Sequence, residues 1–250
     1  MGSCCPCMSN GNGEEERPLI REGKHPNAAT LTTSVSDSEV TGSHSPPSAR
    51  PRYLQPMRME SLRIQKVDAM FERAATPFNV IVEHYARVEE SNQQFRDTLQ
   101  LPHSATFLEC FRNIQKKLGS TELHVVYEGQ FTLLSIEDFE SLREDVRRAT
   151  KHFRLIIDAS KQLLETAPRV CEELRSCSEE ARRMLDELGT LAKEAGLHMM
   201  QKLAAPKTYA SNRTQLVKGP DSVQVLIGKT EELLKRIQEE AKKFDKERYQ

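Results

Sequence analysis

A glycine at position 2 with cysteines at 4, 5 and 7 is where residue type and spacing point to definite chemistry. Loss of Met1 would expose Gly2 as acceptor for a myristoyl chain, and the thiols of Cys4, Cys5 and Cys7 can carry palmitoyl thioesters. A single myristoyl chain binds membranes only marginally, about 10⁴ M⁻¹, so stable attachment takes a second signal. A polybasic run would serve, but Glu14, Glu15 and Glu16 come next, and an anionic leaflet repels them. S-acylation is the signal that remains. Pro6 stands where the common myristoylation pattern has Ser or Thr. The C-x-x-C spacing of Cys4 and Cys7 also suits redox or zinc chemistry, yet it runs into Ser9-Asn10-Gly11-Asn12-Gly13 and not a helix N-terminus. His25 is too distant to complete a closed zinc site.

A second motif follows. Glu15-Glu16-Arg17-Pro18-Leu19-Ile20 resembles the acidic dileucine signal read by clathrin adaptor complexes, with Glu15 in the acidic place and Leu19 and Ile20 as the apolar pair. Pro18 biases Arg17 toward extended backbone, which partly preorganises the peptide for a groove. Ser45-Pro46 offers a proline-directed phosphate acceptor at Ser45. Acyl acceptors, acidic cluster and dileucine together resemble the lipidated scaffold proteins of late endosomes and lysosomes, such as the membrane-anchor subunit of the Ragulator complex and, more loosely, melanoregulin. The resemblance covers about residues 1–25. It implies targeting to the cytosolic face of late endosomal or lysosomal membrane, plasma membrane or Golgi being alternatives, and it implies protein scaffolding.

Elsewhere the chemistry-bearing residues are dispersed. Gly228-Lys229-Thr230 ends like a phosphate-binding loop, but Val223 replaces the first glycine, without which the backbone cannot wrap phosphates. His84, His152 and His198 are scattered, and no His/Cys/Asp group has ligand spacing. Neither a cofactor, a metal nor a catalytic pair is expected, and no small-molecule substrate. Arg147-Arg148-Ala149-Thr150 resembles a basic-directed kinase site lodged within a helix. Net charge −1 argues against nucleic acid as partner. The expected partners are the membrane, through acyl chains, clathrin adaptors, through the dileucine, and a helical protein or a second copy. The expectation is a non-enzymatic, lipid-anchored adaptor. The alternative is a membrane-shaping or cytoskeleton-linking dimer, a BAR-like rod, whose basic stripe would be Arg143, Arg147, Arg148, Lys151 and Arg154.

The elements that would carry these residues divide at about position 55. Residues 1–55 hold Gly, Ser, Pro, Thr and Asn with few large apolar side chains and read as a disordered tether. Residues 56–250 read as an all-α, elongated antiparallel bundle with coiled-coil-like seams. Val67, Ala74, Ile81, Val88 and Phe95 recur every seventh residue of a first helix, which Pro77 should break or kink near Ala75-Thr76. Ser104 is expected to cap a short helix closed by Gly119. Residues 121–134 lack helical period and suit a hairpin or an apolar loop. Ser135 should cap a helix ending near Thr166, Pro168 should open another ending near Gly196, and residues 205–219 should form a polar linker. Gly219-Pro220-Asp221 should then introduce the last helix. Cys110, Cys171 and Cys177 read as small core residues in a reducing compartment.

Overall fold

The computed structural model describes residues 55–248, of which 77% are helical, so the body is all-α and its one hairpin is accessory. In chain order come α1 (Gln65–Thr98), α2 (Phe107–Leu118), β1 (Leu123–Glu128), β2 (Phe131–Ile136), a 3₁₀ turn (Phe139–Ser141), α3 (Glu144–Glu194) and α4 (Met199–Arg248).

Three long helices make the bundle. Lys66 of α1 reaches Glu187 of α3 at 4.0 Å, while the Phe95 and Phe153 rings lie 5.5 Å apart, so these helices run antiparallel. Gln224 of α4 meets Cys171 of α3 at 3.6 Å and Tyr209 bonds the Ala181 carbonyl, so α4 again reverses direction. The seventh-residue seam is real: Val67, Ala74, Ile81, Val88 and Phe95 are each exposed by 1% or less.

None of the four prolines within these helices ends one. α1 passes through Pro77, α3 through Pro168, and α4 through Pro206 and Pro220. The expected break in α1, the new start at Pro168 and the start at Pro220 are therefore corrected. So is the linker at 205–219, which is helix. A proline inside a helix costs about 3 kcal/mol in isolation, but most helical stability in a protein comes from burying one face. That face is continuous. Buried positions of α3 follow one another by three and four from Val146 to Leu188 without losing phase at Pro168. In α4 the same spacing joins Ala205, Tyr209, Asn212, Leu216, Gly219 and Val223 across both prolines. Near the end of α3, Leu185 and Ala195 are exposed, and Met184 takes the inward place.

Local chemistry sets the other boundaries. Thr106, not Ser104, caps α2, in a reciprocal capping box with Glu109: Glu109 N–H donates to Thr106 Oγ1 at 3.2 Å and Thr106 N–H to Glu109 Oε2 at 2.7 Å. Residues 121–134 do contain a hairpin, and it runs on to Ile136. Ser135 pairs with His124 in it, so it cannot cap a helix, and α3 starts at Glu144. The two-residue loop is Gly129-Gln130, a connection that suits strand twist. α3 ends as expected: Gly196 has φ 65°, and Gly196 and Leu197 N–H donate to the carbonyls of Lys193 and Ala192 at 3.0 and 3.2 Å.

The first helix begins at Gln65, and residues 55–64 form a non-helical strap. Met57, Leu62 and Ile64 of the strap are buried in the core. Its core neighbours come from the first part of α1, the second half of α3 and the first half of α4. A second core cluster gathers the end of α1, α2, the start of α3 and the end of α4.

Candidate functional site

Gly2, Cys4, Cys5, Cys7, Glu15, Leu19, Ile20 and Ser45 lie outside the described residues. The other sequence-flagged residues are inside the fold. Thr230 is wholly buried mid-helix and donates to the Leu226 carbonyl at 2.8 Å, so no loop forms around Gly228-Lys229. Thr150 donates to the Val146 carbonyl at 3.0 Å within α3. His84 and His152 are half-buried on α1 and α3, and His198 is exposed in the turn before α4. Burial holds the first two below the ordinary histidine range. Cys110, Cys171 and Cys177 are buried free thiols, and burial pushes Cys110 up to about 11, which leaves it protonated and unreactive. Among the described residues no group of three or more His, Cys, Asp or Glu could hold a metal ion, and no helix is long and apolar enough to cross a membrane.

The basic stripe is largely ion-paired. Arg147 and Arg148 both meet Glu144, Arg143 meets Asp145 at 3.3 Å, and Arg154 meets Asp158 at 3.7 Å. Glu239 pairs back to Lys235 at 4.0 Å.

Three arrangements escaped sequence reasoning. In the first, three side-chain amides grip the strap backbone. Asn79 of α1 accepts from Met57 N–H at 2.7 Å and donates to its carbonyl at 3.2 Å. Gln215 does the same for Arg58 at 3.2 and 2.8 Å, and Asn212 for Glu60 at 3.0 and 2.8 Å. Each amide stands in for one rung of a sheet ladder, satisfying backbone groups that non-helical chain against a helix leaves open. The findable signal was Asn212, a polar residue in seam phase whose full burial needs partners.

The second lies between β2, the 3₁₀ turn and α3, where a cleft of about 600 Å³ opens. Phe131, Leu133, Ile136 and Phe139 form one wall, each half-buried, and Phe153 and Ile157 of α3 lie beneath. The signal here is the hairpin's poor alternation. Phe131-Thr132-Leu133-Leu134 is apolar toward both faces, so covering one face on the bundle leaves apolar surface on the other.

The third is the start of α4, where Met199, Met200 and Leu203 are exposed by 76%, 77% and 66%. This is the largest exposure of big apolar side chains among the described residues. Apolar residues gathered like this mark interaction surfaces, and methionine adapts to varied partners.

Comparison of the chain with family models, with characterised proteins and with solved structures finds no match, so any functional reading rests on the residues themselves.

Proposed function

We propose that the protein is a non-enzymatic, lipid-anchored adaptor on the cytosolic face of late endosomal or lysosomal membranes. The tail supplies attachment and address, and the helical body supplies the partner surface. The observation that carries the reading is the combination of acyl acceptors (Gly2, Cys4, Cys5 and Cys7) with the acidic dileucine at Glu15, Leu19 and Ile20 in twenty residues. Burying one acyl chain gives only reversible binding, and two or more hold a protein of this size on the bilayer. The exposed Met199, Met200 and Leu203 support the adaptor half of the reading, as a docking point for a second protein.

Substituting Gly2→Ala with Cys4, Cys5 and Cys7→Ser should shift the protein from membrane to soluble fractions, alongside loss of alkyne-myristate and thioester labelling. An unlabelled wild-type chain would end the anchored reading. Leu19→Ala with Ile20→Ala should leave labelling intact yet change which organelle is decorated. An unaltered distribution would remove the sorting role while leaving the anchor in place.

A further inference from the structure

The hairpin's apolar side chains pack against the phenylalanine end of the core and still leave an open cleft beside α3. A hairpin that only had to cover the bundle would need one apolar face, and α3 beside it would be an ordinary solvated helix. Instead half-buried Phe131, Leu133, Ile136 and Phe139 surround the opening. Three cations of α3 (Lys151, Arg154 and Lys161) stand along its edge. Spaced over ten residues, they span about 15 Å at helical rise. Asp158 engages Arg154 at 3.7 Å, and Glu128 is the other acid at the opening. Lys151 and Lys161 form no ion pair with any described residue. With three cations against two acids in the lining, the rim is net positive.

A cleft with apolar side chains on its hairpin wall and cations on its α3 wall matches one class of ligand. The volume lies within the roughly 300–1,000 Å³ of small-molecule sites. The cleft's apolar surface comes from Phe131, Leu133, Leu134, Ile136 and Phe139. Its polar groups are largely engaged: Thr150 donates to the Val146 carbonyl at 3.0 Å and Asp158 meets Arg154 at 3.7 Å, which leaves Ser135 and Glu128 to orient a polar ring or a sugar. A flexible hydrocarbon needs no such groups, and its transfer from water contributes about 0.8 kcal/mol per buried CH₂. The anionic head of such a molecule would sit at the rim, its chain lying between β2 and α3.

We propose that this cleft binds a single-chain anionic lipid: one acyl chain in the apolar trough, with a carboxylate or phosphate head held by Lys151 and Lys161. The site is separate from any acylation of the tail. It would let the protein respond to the free lipid content of the membrane on which it works.

The test uses the full chain carrying Gly2→Ala and Cys4, Cys5 and Cys7→Ser, so that its outcome does not depend on the anchoring reading. A fluorescent palmitate analogue, kept below micelle-forming concentrations, should bind saturably at one molecule per chain. Palmitate and lysophosphatidate are added as separate competitors, and whichever displaces the probe better identifies the head group as carboxylate or phosphate. Methyl palmitate, equally apolar but uncharged, should compete far less well. Lys151→Glu with Lys161→Glu, both exposed, should weaken binding about tenfold. Leu133→Arg should abolish it by filling the trough, with circular dichroism confirming that the helices persist. Absence of saturable binding, equal competition by the methyl ester, or unchanged affinity in both variants would overturn the proposal.

Discussion

The two ends of the bundle solve the same packing problem with different mixtures of residues. Around α2 and the hairpin the core is built from rings. Phe153 lies 5.5, 6.4 and 5.6 Å from Phe95, Phe107 and Phe111, and Phe244 stands 6.0 Å from Phe111. Around the strap one ring pair, Phe71 and Tyr209 at 5.4 Å, is buried among aliphatic residues, and small residues sit on all three helices there: Ala74, Ala167, Ala181 and Gly219. Rings fill space between helices held apart, while small residues let backbones approach closely enough for the strap and its amide grips to fit. The first end relies on apolar volume, and the second adds close approach and polar satisfaction to its apolar packing. They should fail in different ways.

The largest difference should come from Phe153→Ala. The ring is 1% exposed and touches three others, so its loss should cost about 3–5 kcal/mol. Thermal unfolding should still be a single transition, at a lower midpoint. Asn212→Ala should cost about 1–3 kcal/mol, because the Glu60 N–H and carbonyl each lose their partner. Its signature should be local. Hydrogen exchange at Met57, Arg58 and Glu60 should accelerate with little change at the phenylalanine end, as expected for a segment that opens sub-globally. If both variants lowered protection evenly along the chain, the two ends would be one cooperative unit and the contrast would vanish.

The same contrast governs what could be read from the chain. Where large apolar residues mark the inward positions, as at Val67, Ile81, Val88 and Phe95, seven-residue spacing located the core correctly. The stretch 205–219 misled because its inward positions include Ala205, Asn212 and Gly219, with Pro206 and Pro220 alongside. Nothing in local propensity shows that Asn212 is buried by bonding a strap 152 residues away. The strap falls within the stretch read as helical bundle from residue 56, and the amides that fix its course come from helices distant in sequence. The cleft left a trace in the hairpin's two apolar faces, but the cations beside it come from α3, and only the fold brings them together. The proposed anchoring and sorting residues are legible as motifs alone.

Gly219→Val would test the close-approach half of the comparison directly. A Cβ there would stand 3.0 Å from Met57 Cε and 3.1 Å from a Leu174 methyl. The flexible Met57 end can yield and Leu174 has less room, so an overpacking cost of about 1–3 kcal/mol is expected. Pairing it with Met57→Ala should recover part of the loss. If Gly219→Val were neutral alone, the strap end would be loosely packed and its small residues incidental.

The smallest effect concerns how the helices stop. α1 and α3 close with the same hydrogen-bond pattern: Gln100 and Leu101 N–H donate to the carbonyls of Asp97 and Arg96, both at 3.0 Å, as Gly196 and Leu197 do to Lys193 and Ala192. At the strap end the left-handed position is a glycine, at φ 65°, while at the phenylalanine end it is Gln100, at φ 59°. A side chain there costs about 1–2 kcal/mol that glycine avoids, less the chain entropy glycine adds to the unfolded state. Gln100→Gly should therefore raise stability by about 0.5–1 kcal/mol, and Gly196→Gln, which meets nothing within 4 Å, should lower it by a similar amount. Chemical denaturation of both variants reads this directly. If Gln100→Gly is destabilising, the Gln100 side chain must contribute to the end of the bundle where Arg96 is buried beneath it, donating to the Ala105 carbonyl at 2.9 Å and lying over the Phe107 ring. The phenylalanine end would then owe part of its rigidity to polar contacts, as the strap end does.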